Sequence, residues 1–284
     1  MKNILVTGGR GQLASCIKVL DNKLIDFNFI YVDSDGLDIT KKTKIVAFFE
    51  KQKIDYCINC AAYTAVDKAE SDQELAKSVN ETGVKYLVES CKKFDAIYIQ
   101  ISTDFVFDGK QSTLYNEEDD VNPLNVYGLT KFNGEKATLA HKKHFIIRTS
   151  WLYSEYGNNF LKTMLTLGQE RDVLSIVSDQ IGTPTYAGDL AEIVLRIIRD
   201  NNSSFGIYHY SNEGVASWYD FAYAIFEEIK INIKLLPIRT EAYPTPAKRP
   251  SFSVMDKSKI KKELNIEIPY WKESLEKCLK KMVL

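Results

Sequence analysis

The chain has 284 residues, of which 45% are hydrophobic and 26% charged, with a net charge of -1. That length allows one large domain, or a larger and a smaller one, around a substantial core. The even charge balance argues against a nucleic-acid partner or a membrane surface, and no apolar stretch has signal or transmembrane length, so a cytoplasmic location is expected. Five cysteines without framework spacing fit a reducing compartment.

In chain order, Ile4–Thr7 reads as a short strand that runs into the glycine-rich turn Thr7-Gly8-Gly9-Arg10-Gly11, and Gln12–Leu20 as a helix. Phe27–Asp33 is a second strand, followed by a helical stretch from Thr40 to Lys53. Tyr56–Asn59 is a third strand, followed by a long helical region to Lys93. Ala96–Ser102, rich in β-branched residues, is a fourth strand; a helix from about Leu124 to Ala140 and a fifth strand, His144–Thr149, complete the series. Strands alternating with helices predict βαβ units and an α/β fold, a Rossmann-type doubly wound parallel sheet.

After Trp151 the texture changes, because six of the seven prolines lie beyond it. The expected division is a sheet domain over 1–150 and a smaller region over 151–284, with parts of about 172–211 returning to the sheet. Trp271, Leu275 and Leu279, in the closing segment to Leu284, repeat at helical spacing and predict a packed face.

The first turn, Gly8-Gly9-Arg10-Gly11-Gln12-Leu13-Ala14, closes a strand and opens a helix, the setting in which backbone N–H groups meet a pyrophosphate. Asp33 follows about twenty residues on, where a carboxylate bonds the ribose 2′-OH of NAD. A solvated turn aspartate is the competing reading. Arg10 beside the glycines would suit a 2′-phosphate instead, so NADH and NADPH both stay open.

Tyr127 and Lys131 stand at i and i+4 on a predicted helix and therefore share a face. There the ammonium is expected to lower the pKa of the phenol, and a hydroxyl from the end of the fourth strand can hold a substrate oxygen against it. Cys57-Ile58-Asn59-Cys60 spells CxxC, but in a strand its thiols diverge, so both are read as core filling. His141, His144 and His209 are scattered and give no ligand cluster, so no metal is predicted.

These motifs together resemble the extended short-chain dehydrogenase/reductase superfamily and, within it, the dTDP-4-dehydrorhamnose reductases. The resemblance runs nearly end to end, through Gly8–Ala14, Asn59–Glu70, Ser102–Gly109, Pro123–Gly128, Arg148–Trp151, Gly157–Phe160, Asp179–Thr185 and Tyr243–Pro250. It implies a catalytic set of Thr103, Tyr127 and Lys131. It implies that Gly8, Gly11, Gln12 and Leu13 line the pyrophosphate, Asp38 and Ile39 the adenine, and Ala61, Ala62 and Tyr63 the rest of a coenzyme groove. Thr103, Asp104 and Trp151 would meet a dTDP-sugar, and Arg249, with Lys248, its diphosphate. Some relatives are dimers bridged by magnesium on acidic side chains. No acidic residue aligns for that purpose around Tyr186–Asp189, so no metal site is carried over and the chain is left as monomer or homodimer.

The implied activity is reduction of a dTDP-4-keto-6-deoxyhexose at C4 to dTDP-L-rhamnose. A dehydratase of the same superfamily has a glutamate where this chain has Phe105, which cannot move a proton. An epimerase and a non-catalytic dinucleotide-binding subunit are the alternatives.

Overall fold

The computed structural model describes residues 1–282. Its centre is a six-stranded sheet formed by β1 (Lys2–Thr7), β2 (Phe27–Val32), β3 (Ile54–Asn59), β4 (Ile97–Thr103), β5 (His144–Thr149) and the strand Gly206–His209. Their order is β2-β1-β3-β4-β5 followed by Gly206–His209, and every pairing is parallel. Strands covered on both faces read as continuous apolar runs rather than alternating ones, and every residue of β5 is buried.

On one face the sheet packs against helices Gln12–Leu20 and Ala187–Arg199, with Ile4, Val6, Ile58, Ile99 and Ile147 meeting Leu13, Ile17, Leu190 and Val194. On the other, Leu5, Cys57 and Tyr98 meet Ile45 and Phe49 from helix Lys42–Gln52 and Leu87, Val88 and Cys91 from helix Val84–Phe94. Register aligns the carboxyl ends: Thr7 lies beside Val32 and Asn59, and Thr103 beside Thr149. The strand order reverses between β1 and β3, and such a switch point opens a crevice for ligands outside the strand ends.

A second core gathers Tyr153, Leu161, Met164, Phe221, Ile225, Trp271, Leu275 and Leu279. It is built from helices Phe160–Glu170, Trp218–Glu228 and Trp271–Lys281, beside a parallel pair of strands, Val173–Val177 and Lys234–Ile238. Within the 172–211 span, Gly206–His209 joins the main sheet while Val173–Val177 pairs outside it. The predicted stripe of Trp271, Leu275 and Leu279 is buried; the last two residues of that segment, 283 and 284, lie outside the described residues.

The long helical region expected up to Lys93 is interrupted. Helices Val66–Ala69 and Gln73–Lys77 lead into a widened π turn, Ser78–Gly83, before helix Val84–Phe94. The cause is tertiary. Asn80 accepts from the Tyr63 backbone N–H at 2.9 Å and donates to the Tyr63 carbonyl at 3.0 Å and the Thr130 hydroxyl at 3.2 Å. A π bulge turns that one side chain inward at the cost of regular helix.

Candidate active site

The carboxyl ends of β1, β3 and β4 open onto a cleft of about 890 Å³ that reaches across to Trp151, Trp218 and Arg249. At its floor Gly8 has φ +64, and a Cβ there would lie 2.8 Å from the backbone of Ala61. Only glycine allows the turn after β1 to approach the end of β3 so closely. Gly11 caps helix Gln12–Leu20 without any side-chain bond, so the first-turn N–H groups keep their capacity to hold an anion. Gly8, Gly11, Gln12, Leu13, Asp33, Asp38, Ile39, Ala61 and Ala62 all line the cleft, an arrangement that fits a dinucleotide.

Two expected coenzyme residues do not line it. Arg10 turns to the carboxylates: its Nε lies 2.8 Å from Asp33 and its Nη2 2.9 Å from Asp35, while its backbone N–H also donates to Asp33 at 3.0 Å. The residue expected to favour a 2′-phosphate thus occupies the residue expected to bind the 2′-OH. The Tyr63 hydroxyl donates to Asp72 at 3.0 Å, away from the groove. Asp38 lines the cleft, yet its Oδ1 is also taken by the Thr40 N–H and hydroxyl. That bonding holds the Asp38 carboxyl below its ordinary range.

A buried polar ladder crosses the strand ends behind this floor. The Thr7 hydroxyl donates to Asn59 at 2.6 Å, and the Asn59 amide to Gln100 at 3.0 Å. The Gln100 amide donates to the Ile101 carbonyl at 2.8 Å, which also accepts from Lys131 Nζ at 2.6 Å.

Thr103, Tyr127 and Lys131 come together at the centre. Helix Val126–Thr138 starts at Asn125, whose side chain accepts from the Gly128 N–H at 2.8 Å. A Cβ on Gly128 would strike the Phe105 carbonyl at 2.2 Å, so glycine lets this helix sit directly against the turn after β4. Phe105 meets the Tyr127 ring edge-on, with centroids 5.6 Å apart.

One expectation is corrected here. Lys131 does not lower the pKa of the Tyr127 phenol; burial pushes it up to about 12, opposed by hydrogen bonding to Thr103. The ammonium is spent on the Ile101 carbonyl, and burial lowers Lys131 to about 8.

Asp104 is buried beside Thr103, whose hydroxyl donates to its Oδ1 at 3.1 Å; its Oδ2 has no partner. Burial pushes its carboxyl up to about 6.

The far wall is aromatic. Trp151, with φ +46, is half-buried and stacks on Trp218 with centroids 3.6 Å apart and planes 7° from parallel. Trp218 was not anticipated: it opens a helix after Ser217, whose capping box with Asp220 is a local signal for a helix start and says nothing of a ligand wall. Gln12 bridges the walls, its Oε1 accepting from Ser154 at 2.9 Å and Asn159 at 2.8 Å. Arg249 lines the cleft but is committed to Asp67 through two bonds of 3.0 and 2.8 Å. Lys248 is exposed and away from the lining.

The CxxC segment also differs from expectation. β3 ends at Asn59, so Cys57 is core, whereas Cys60 lies past the strand, half-buried on the cleft wall with its thiol pushed up by burial. Among the described residues no cluster of His, Cys, Asp and Glu is arranged to hold a metal ion, and no helix is long and apolar enough to cross a membrane.

The whole chain, residues 1–284, matches the family described as the RmlD substrate binding domain. It belongs to that family. A dTDP-4-dehydrorhamnose reductase of Aggregatibacter actinomycetemcomitans is 42% identical, the match covering 97% of this chain and 98% of that one. A crystal structure of a dTDP-4-dehydrorhamnose reductase from Clostridium acetobutylicum superimposes with a TM-score of 0.96 at 41% identity, over 99% of this chain and 100% of that one. One from Bacillus anthracis, solved in complex with NADP, gives 0.95 at 37% identity with the same coverage. Family membership makes the chain an oxidoreductase on a Rossmann-type sheet.

Proposed function

We propose that the chain reduces the C4 ketone of a dTDP-4-keto-6-deoxyhexose to give dTDP-L-rhamnose, using NADH or NADPH. The observation that carries this reading is the convergence of Thr103, Tyr127 and Lys131 on one cleft with Phe105, not an acid, at the next position on the turn. The names of the full-length relatives agree with it. We further assign coenzyme binding mainly to 1–150 and sugar-nucleotide binding mainly to 151–284.

When bound, the coenzyme supplies the hydride. Gly8, Gly11, Gln12 and Leu13 would hold its pyrophosphate, Asp33 or Arg10 the adenosine ribose, and Lys131 the nicotinamide ribose. Tyr127 is the general acid. Its raised pKa keeps the phenol protonated at neutral pH, which is the form a donor needs, and it passes its proton to the oxygen forming at C4. Thr103 would turn its one hydroxyl proton to the same oxygen and polarise it. Asp104 would accept from a sugar hydroxyl, Trp151 and Trp218 would wall the sugar-nucleotide, and Arg249 would reach a diphosphate oxygen.

The test is NAD(P)H consumption, followed by absorbance, with dTDP-4-keto-6-deoxyglucose and a 3,5-epimerase. Stoichiometric oxidation with appearance of dTDP-L-rhamnose is expected. Turnover of the sugar without net coenzyme loss would indicate an epimerase, and coenzyme binding without turnover a regulatory subunit.

A further inference from the structure

Asp67 lies on the short helix Val66–Ala69, at the end of the loop that leaves β3 and lines the coenzyme side of the cleft through Ala61, Ala62 and Thr64. Arg249 lies 182 residues further on. The Asp67 carboxylate meets the guanidinium end-on: Nη1 donates to Oδ1 at 3.0 Å and Nη2 to Oδ2 at 2.8 Å. Nη1 also donates to the Thr245 hydroxyl at 2.6 Å and to the Ala247 carbonyl at 3.1 Å. A guanidinium carries five N–H donors in one plane. The Nε hydrogen and the second hydrogen on Nη2 have no partner among the described residues. Together they form the side-on edge that takes two oxygens of an oxyanion. Arg249 is on the cleft lining, so that edge is what a ligand in the cleft can meet.

The backbone that carries Arg249 is held by other means. The Asn125 amide donates to the Lys248 carbonyl at 2.7 Å, and the Ser251 hydroxyl to the Gly109 carbonyl at 2.9 Å. Asp67 reaches that backbone only through the Ala247 N–H, at 3.2 Å, a bond that an asparagine oxygen would keep. The side chains of Asp67 and Arg249 are 40% and 23% exposed, and so wet an ion pair adds little to stability. What the pair does fix is the direction of one arginine.

We propose that Asp67 is a positioning residue for the dTDP-sugar: it grips Arg249 by the Nη end and so turns the Nε edge to the diphosphate. The proposal rests on the reading of Arg249 as a diphosphate ligand given above. The coenzyme carries a diphosphate as well, so the test reads the two ligands separately.

The experiment measures KM and kcat for the dTDP-sugar, together with calorimetric Kd values for dTDP (with NADP bound) and for NADPH. Asp67→Asn should raise KM and the dTDP Kd by about tenfold, with kcat and the NADPH Kd within about twofold of wild type. Arg249→Gln should weaken dTDP at least as much, and adding Asp67→Asn to it should cost less than about twofold more, because Asp67 acts only through Arg249. Urea melts check that each variant is folded. Should Asp67→Asn not fold, Arg249→Lys keeps a charge for Asp67 but lacks the second edge, so it too should raise KM by about tenfold. Unchanged or tighter dTDP binding in folded Asp67→Asn, additive effects in the double variant, or wild-type KM in Arg249→Lys would overturn the proposal. So would a loss confined to NADPH, which would place the edge at the coenzyme. Arg249→Gln binding dTDP as the wild type does would remove the reading beneath it. Were the wild-type chain to bind dTDP yet leave the sugar unreduced, the reductase reading would fall while the dTDP affinities still decided the role of Asp67.

Discussion

Thr103, Tyr127 and Lys131 stand on a strand end and a helix, where most polar atoms behind them are buried and bonded. Trp151, Trp218 and Arg249 stand on turns and element ends, joined by one aromatic stack and one half-exposed ion pair. The first group is held by regular structure: the Ile101 carbonyl, the Asn125 cap and the close approach at Gly128 each follow from a ladder or a helix. The second is held by contacts between residues far apart in the chain, such as Asp67 with Arg249 and Trp151 with Trp218. Chemistry that tolerates little displacement thus sits on the rigid side, and recognition of a larger ligand on the adaptable side.

The largest expected effect breaks the rigid side. Tyr127→Phe should lower kcat by roughly 10²–10⁴ while NAD(P)H affinity stays within a few fold, because the phenol moves a proton and contributes little to coenzyme binding. Steady-state kinetics with a coenzyme titration checks both halves, and near-normal turnover would mean that another group supplies the proton.

The adaptable side should respond in KM. Trp151→Ala and Trp218→Ala should each raise KM for the dTDP-sugar by about tenfold without altering binding of free NAD(P)H, with a coupling of about 1 kcal/mol between them from the lost stack. Trp271 provides the contrast. It is 2% exposed in the second core, so Trp271→Ala should lower stability by about 3–5 kcal/mol. If Trp151→Ala behaved like Trp271→Ala in a denaturant melt with KM unmoved, Trp151 would be packing.

A pH experiment separates the sides through Lys131. Its folded pKa of about 8 lies below the unfolded value near 10.5, so between those values the unfolded chain binds the extra proton. Stability should therefore rise with pH across that window through this group. Compared with Lys131→Met, the wild type should gain at most about 3 kcal/mol between pH 8 and pH 10. Equal pH slopes in urea melts of the two proteins would show that Lys131 titrates normally.

The smallest effect concerns the coenzyme. Asp33→Ala should weaken NADH several fold and leave NADPH unchanged or improved, since the 2′-OH loses an acceptor and Arg10 loses a tether. Asp35→Asn should favour NADPH less, because the Arg10–Asp35 contact is exposed on both sides and such pairs contribute little. Equal changes for both coenzymes would make Asp33 a turn residue.

This division also governs what could be read in advance. The alternating strands and helices, the turn at Gly8 and the face shared by Tyr127 and Lys131 are local patterns, and each was visible in the residues. The π turn at Asn80 was not, because its cause lies at Tyr63 and Thr130. Trp218 was missed because its stacking partner is distant in sequence, and the only local signal nearby was a helix cap. The spacing of Tyr127 and Lys131 brought them to one face, but the direction of the phenol's shift depended on burial and on where the ammonium was already bonded. Arg10 was expected at the coenzyme because its pairing with Asp33 and Asp35 appears only when β2 is laid beside β1.

The most direct test of the central claim is transfer of deuterium from NAD(P)H labelled at C4 of the nicotinamide, with the product examined by NMR. Wild-type chain with the dTDP-4-keto-6-deoxyhexose and epimerase should give dTDP-L-rhamnose carrying deuterium at the sugar C4, in amounts matching the coenzyme oxidised. Tyr127→Phe should give the same labelled product far more slowly. Product without deuterium at C4, or deuterium retained on the coenzyme while the sugar is converted, would contradict a C4 ketone reductase.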